Sequence, residues 1–191
     1  MIVCAGDIEQ FKFANPIGIG LVNSAINLTR ACIMNPPEFI LFVGTAGSYG
    51  QKSILDIVYS RAASNIEHSF FNKSGYTPLD NLIVADDVAI GKNAKILNNL
   101  VESVSHETIV NSSNYITTSK DISNTALKVG LSLENMEFYS VLSVAKEFNI
   151  PAGGVFVVTN YCDSNAHEDF KKNHKEAMKK LEEHIIKRGL K

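Results

Sequence analysis

The stretch Leu133–Phe170, LENMEFYSVLSVAKEFNIPAGGVFVVTNYCDSNAHEDF, carries a helix, a buried strand and a cluster of polar groups in one continuous segment. Asn135-Met136-Glu137 opens a run in which Phe138, Val141, Leu142, Ala145 and Phe148 recur at helical spacing, giving one apolar face. Pro151 stops it. Val155-Phe156-Val157-Val158 is too apolar and β-branched to be half exposed and predicts a central parallel strand covered on both faces. Asn160-Tyr161-Cys162-Asp163 lies at its carboxyl end, where open α/β sheets place their ligands.

The upstream chain repeats this grammar. Ile2–Ala5 predicts a short buried strand followed by a loop at Gly6-Asp7-Ile8-Glu9, and Phe11–Ala14 alternates like a second strand. A helix follows over Val22–Ile33, with apolar positions at 22, 25, 26, 29, 32 and 33, ended by Pro36-Pro37. Phe39–Val43 is a strand that runs into Gly44-Thr45-Ala46-Gly47-Ser48, read as a Gly-rich turn with free backbone N–H groups or simply as a tight turn. Ile54–Tyr59 predicts a strand, 60–78 a polar loop, Lys92–Ser105 a helix, Thr108–Val110 a strand and Asp121–Val129 a short helix. His167–Arg188 is an amphipathic helix with lysines on its solvent side. Alternating strands and helices predict an α/β fold: a single domain over residues 1–191 with a central mixed, largely parallel sheet flanked by helices.

Composition narrows the function. At 191 residues and 45% hydrophobic, the chain suits one domain burying roughly 70% of its unfolded surface. A net charge of −2 without a basic block argues against nucleic acid, and no apolar run is long enough for a membrane span. Cys4, Cys32 and Cys162 have neither disulfide nor metal-ligand spacing, and the five histidines are unclustered. No metal and no cofactor are expected, and a reduced cytoplasmic protein is.

Three segments, in order, resemble the nucleoside phosphorylase/nucleosidase family, most closely the methylthioadenosine/S-adenosylhomocysteine nucleosidases. Gly18-Ile19-Gly20-Leu21-Val22-Asn23-Ser24-Ala25 is similar to the family's helix entry, and Val43-Gly44-Thr45-Ala46-Gly47 to its glycine turn. Asn135-Met136-Glu137, followed after a helix and a strand by Asp163, is similar to its sugar-binding and acid segments.

The resemblance implies cleavage of a purine nucleoside through an oxocarbenium-like sugar. Asp163 then matches the general acid that protonates the base, while locally it reads equally as a cap of the last helix. Glu137 matches the carboxylate that holds the ribose hydroxyls, and Met136 the residue lying on the sugar; otherwise these are a first-turn charge and a core side chain. Tyr115 and Ile116 fall where the family stacks and reads the purine. Thr45 takes the place of a serine beside the nucleophile. Glu9 is the candidate to activate water, with Asp7 as the other N-terminal acid that could fall there, in a segment shorter than the family's.

Several positions depart from the pattern. Asn135 replaces a glutamate, Phe138-Tyr139 replace small residues, and Cys162 replaces the serine before the acid. Phe42 stands where the family's phosphorylases carry an arginine, and the last helix offers only Lys171, Lys172 and Lys175 for the second. The expectation is therefore hydrolysis, with water as co-substrate. Phosphorolysis with phosphate as nucleophile is the alternative, and a homologue that binds nucleoside without turnover is a third reading. The resemblance also implies a homo-oligomer, dimer or hexamer, with Phe70, Phe71 and Tyr76 as a contact.

Overall fold

The computed structural model describes residues 1–85 and 108–189; the helix expected over Lys92–Ser105 lies outside them. The elements are β1 (Ile2–Cys4), β2 (Asn15–Pro16), α1 (Leu21–Met34), β3 (Ile40–Ser48), β4 (Ile57–Ser60), β5 (Ala62–Ser64), the one-turn α2 (His68–Phe71), β6 (Leu82–Val84), β7 (Ile109–Ser112), α3 (Lys120–Lys128), β8 (Leu131–Asn135), α4 (Phe138–Glu147), β9 (Ala152–Tyr161) and α5 (Ala166–Lys187).

Among the described residues nine strands form one mixed sheet in the order β2-β1-β3-β8-β7-β5-β6, with β9 beside β3 and β4 beside β9. The pairs β1–β2, β1–β3, β3–β9, β5–β7 and β7–β8 are parallel; β3–β8, β4–β9 and β5–β6 are antiparallel. The strand period of two divides the core. From β3 and β9, Ile40, Phe42, Phe156 and Val158 face α1 and α4, while Leu41, Val43, Val155 and Val157 face Ala177, Leu181 and Ile185 of α5. Helices thus cover both faces, as the apolar runs required.

Four local expectations are corrected. Phe11–Ala14 is a turn, closed by the Ala14 N–H donating to the Phe11 carbonyl, with the Phe11 and Phe13 rings stacked 5.3 Å apart. Gly44–Ser48 is no turn either: β3 continues through it, and its glycines serve close packing. Leu131–Asn135 is a strand, and the helix starts only at Phe138. The alternation of Leu131 and Leu133 carried that signal. The loop expected over 60–78 contains β5 and α2.

In α1 the apolar stripe is rotated from expectation. Ser24, Leu28 and Cys32, spaced i, i+4, i+8, are buried against the core, and the Ser24 hydroxyl is absorbed by the Gly20 carbonyl at 2.7 Å. Val22, Ile26 and Ile33 are left exposed.

Candidate active site

A sheet edge that loses its neighbour creates the site. On one side β3 pairs with β1 at Leu41 and Phe42, then with β8 at Gly47 and Ser48. Between them Thr45 has no strand beside it, so its backbone groups need other partners. Its N–H donates to Oε2 of Glu9 at 3.1 Å, and its carbonyl accepts from Nδ2 of Asn135 at 3.1 Å. The Thr45 hydroxyl donates to the other oxygen of Glu9. Glu9 reaches this gap because Gly6, at φ 97°, closes a tight turn in which Gly6 and Glu9 exchange backbone hydrogen bonds of 3.3 and 2.9 Å. Gly44 leaves the room: a Cβ there would lie 3.0 Å from Oε2 of Glu9 and 2.8 Å from the Phe42 ring.

Asn135 explains itself at this gap. Its Oδ1 accepts the N–H groups of Glu137 and Phe138 at 2.8 and 2.9 Å, capping α4, while its amide supplies the donor for Thr45. An ionised glutamate could not make that donation.

The result is a cleft of about 290 Å³ at the carboxyl ends of β1, β3 and β9. Of the expected site residues, Glu9, Thr45, Ile116, Met136 and Glu137 line it together. Glu137 is only 3% exposed, and its Oε1 accepts the Gly20 N–H at the head of α1 at 2.9 Å. Burial pushes its carboxyl up to about 7; the Gly20 bond opposes this and the Glu9 charge adds to it.

Asp163, Cys162 and Tyr115 are not brought into the cleft. Asp163 lies in the turn between β9 and α5, where Oδ1 accepts the Asn165 N–H at 2.9 Å and its carbonyl accepts the Ala166 N–H. The expected cap position is taken by Asn165, and Asp163 instead closes the turn ahead of it. Cys162 is buried beneath Gly47, in a core cluster with Tyr49 and Leu131, and burial raises its thiol well above the usual range. Tyr115 is exposed, its ring 6.1 Å from that of His68. Asp7 is exposed and lines nothing.

Sequence reasoning missed Asn160, Glu134, His167 and Phe170, which also line the cleft. Asn160 was visible as a polar residue at a buried strand's end, yet the acid three residues on drew the assignment. Glu134 and Asn160 are the two sheet neighbours of Gly47, one from β8 and one from β9. His174 packs behind the site, its ring 4.8 Å from that of Phe170. Among the described residues no lysine or arginine lines the cleft, no cluster of metal ligands occurs, and no helix is long and apolar enough to cross a membrane.

A family profile described as the phosphorylase superfamily matches residues 2–188. No curated protein matches the sequence. Solved structures do. A Helicobacter pylori MTAN aspartate-to-asparagine mutant with 5′-methylthioadenosine in its active site superposes with TM-score 0.72 at 21% identity, over 91% of this chain and 77% of that one. The native futalosine hydrolase of Helicobacter pylori strain 26695 gives 0.78 at 18%, over 98% and 95%. The Streptococcus pneumoniae MTA/SAH nucleosidase in complex with 8-aminoadenine gives 0.75 at 14%, over 98% and 96%. At such identities these likenesses establish the fold.

Proposed function

The chain belongs to the phosphorylase superfamily, and we propose that its cleft cleaves the N-glycosidic bond of a purine nucleoside by hydrolysis. The observation that carries this reading is the Glu9 carboxylate, held in the gap of the sheet by both donors of Thr45 and facing the buried Glu137. In that place Glu9 accepts a proton from the attacking water. Ionised Glu137 accepts hydrogen bonds from the ribose hydroxyls, and Met136 supplies an apolar surface for the sugar. The two together hold C1′ in line with the water.

The base lies over Gly47 towards Asn160 and Ile116. Asn160 lines the cleft where Asp163 does not, and it offers a hydrogen-bond donor that supports the departing base. Water is favoured over phosphate on electrostatic grounds. Glu9, Glu134 and Glu137 all line the cleft without a lysine or arginine among the described residues, and a phosphate dianion would meet carboxylates on several sides.

The amide of Asn160, which cannot give up a proton to the base, favours a second reading, nucleoside binding without turnover. One experiment separates them. The pure protein is incubated with methylthioadenosine, S-adenosylhomocysteine, adenosine and inosine, with and without phosphate, and free base and sugar are measured. Phosphate-independent release of free ribose or its 5′-thio analogue supports hydrolysis. Strict phosphate dependence overturns it, and binding without release selects the second reading.

We also propose a cytoplasmic homo-oligomer. The exposed apolar stripe of α1, Val22, Ile26, Ile33 and Met34, supports association, and the three free cysteines suit a reducing compartment. Light scattering of the native protein tests the first of these.

A further inference from the structure

Glu134 has no part in the chemistry above, yet it is buried, carries a carboxylate and lines the cleft. The Glu9 charge acts on Glu137, whereas the Glu134 charge acts on Cys162 and Tyr49. In the sheet Glu134 sits beside Gly47, across which stands Asn160. Gly47 gives the cleft bare backbone between the two, the place its Cβ would take being filled by Sγ of Cys162 and Nδ2 of Asn160.

The carboxylate is held from three sides. Oε1 accepts the Thr117 N–H at 2.8 Å; Oε2 accepts the Tyr49 hydroxyl at 3.0 Å and the Thr117 hydroxyl. Thr117 is in turn approached by Nε2 of His68 at 3.0 Å, and Tyr49 by the Asn111 amide at 3.4 Å. A carboxylate offers about four lone-pair directions. Three are used by the described residues, and the remaining one belongs to Oε1, the oxygen with a single protein donor. An anchored acceptor with a vacant direction in the wall of a mostly apolar cleft fits a ligand that brings its own donor.

Resting on the reading of this cleft as a nucleoside site, we infer that Glu134 reads an N–H group on the edge of the base remote from the sugar. It selects nucleosides whose base carries a lactam or amino N–H there over those that carry none. A mere tether for the Thr117 segment would affect all bases alike. The selective role distinguishes them, because an acceptor facing a base without a donor is left unpaired.

The test compares inosine and adenosine with purine riboside, which lacks the donor. Dissociation constants are measured by calorimetry and kcat/KM by base release, for the wild-type protein and for Glu134→Gln. The wild type is expected to favour the donor-bearing nucleosides by about 10- to 100-fold, the order for a hydrogen bond to a charged group. Glu134→Gln should shrink that ratio severalfold; comparing variant with wild type cancels the intrinsic reactivity of each base. Equal affinity of the wild type for all three overturns the inference, and so does a variant that weakens all three equally. If Glu134→Gln does not fold, the wild-type affinities alone decide. Discrimination in binding without base release leaves the inference standing and defeats hydrolysis; release without discrimination does the reverse. Failure of all three nucleosides to bind defeats both.

Discussion

The backbone N–H of Gly20, at the head of α1, donates to Oε1 of Glu137 at 2.9 Å, joining residues 117 positions apart. The helix N-terminus favours the ionised carboxylate, but burial outweighs it and the Glu9 charge assists burial, so the group titrates near neutrality.

Activity should follow that titration. Glu137 must be ionised to accept both ribose hydroxyls, so kcat/KM for base release is expected to rise from pH 6 to pH 8 with a midpoint near 7. Glu137→Gln should remove this limb and slow release by about 10²-fold or more. A flat wild-type profile over that range would contradict the role.

Stability should move in the opposite direction. The folded protein keeps the Glu137 proton up to about pH 7, while the unfolded chain releases it near 4.5. The contribution is therefore fully present below pH 4.5 and is lost as pH rises through 7, by something on the order of 3 kcal/mol. Urea unfolding at pH 5 and pH 8 should show the loss in the wild type and not in Glu137→Gln.

Glu9→Gln removes the water's proton acceptor and should lower hydrolysis by about 10²- to 10⁴-fold with little change in nucleoside affinity. Gly44→Ala should act on the same group indirectly. Its Cβ presses on the Phe42 ring and on Oε2 of Glu9, at a cost of about 1–3 kcal/mol. Thermal melts together with base-release rates check both variants; full activity in Gly44→Ala would show that Glu9 need not sit in the gap.

Asp163→Asn retains the oxygen that accepts the Asn165 N–H, and base release is expected to stay within about twofold of wild type, with unchanged melting. Asn160→Asp places an ionisable donor beside Gly47 and should accelerate release by about tenfold, with activity falling as the new carboxyl deprotonates. Loss of activity in Asp163→Asn would mean that the turn opens to bring the acid to the substrate.

Asn135→Asp preserves the cap of α4 and loses the donor to the Thr45 carbonyl. Leaving that buried acceptor unpaired should cost about 1–3 kcal/mol in chemical unfolding. An unchanged midpoint would show that another donor takes over.

Much of the site was legible because its residues sit beside strong local signals. Thr45 and Met136-Glu137 abut apolar segments whose period is plain in the chain. Asp163 falls outside the cleft lining, because a match of residue order does not say where β9 ends. With α5 beginning at Ala166, only a short turn remains, and a backbone N–H claims the carboxylate. Glu134 was passed over because attention fell on Asn135-Met136-Glu137 as a helix opening, which hid the strand Leu131–Asn135 that carries Glu134.

Hydrophobic periodicity is a property of neighbouring residues, so the sequence alone determined the buried strands β3 and β9, the long amphipathic α5, and an α/β sheet covered on both faces. The split of the sheet at Thr45 depends on β1, β8 and the loop carrying Glu9, elements remote from β3 in the chain whose hydrogen-bonding register no local pattern encodes. Only the tertiary structure decided which backbone groups were left without a strand. From that follow the capture of Glu9 and the need for an amide at Asn135.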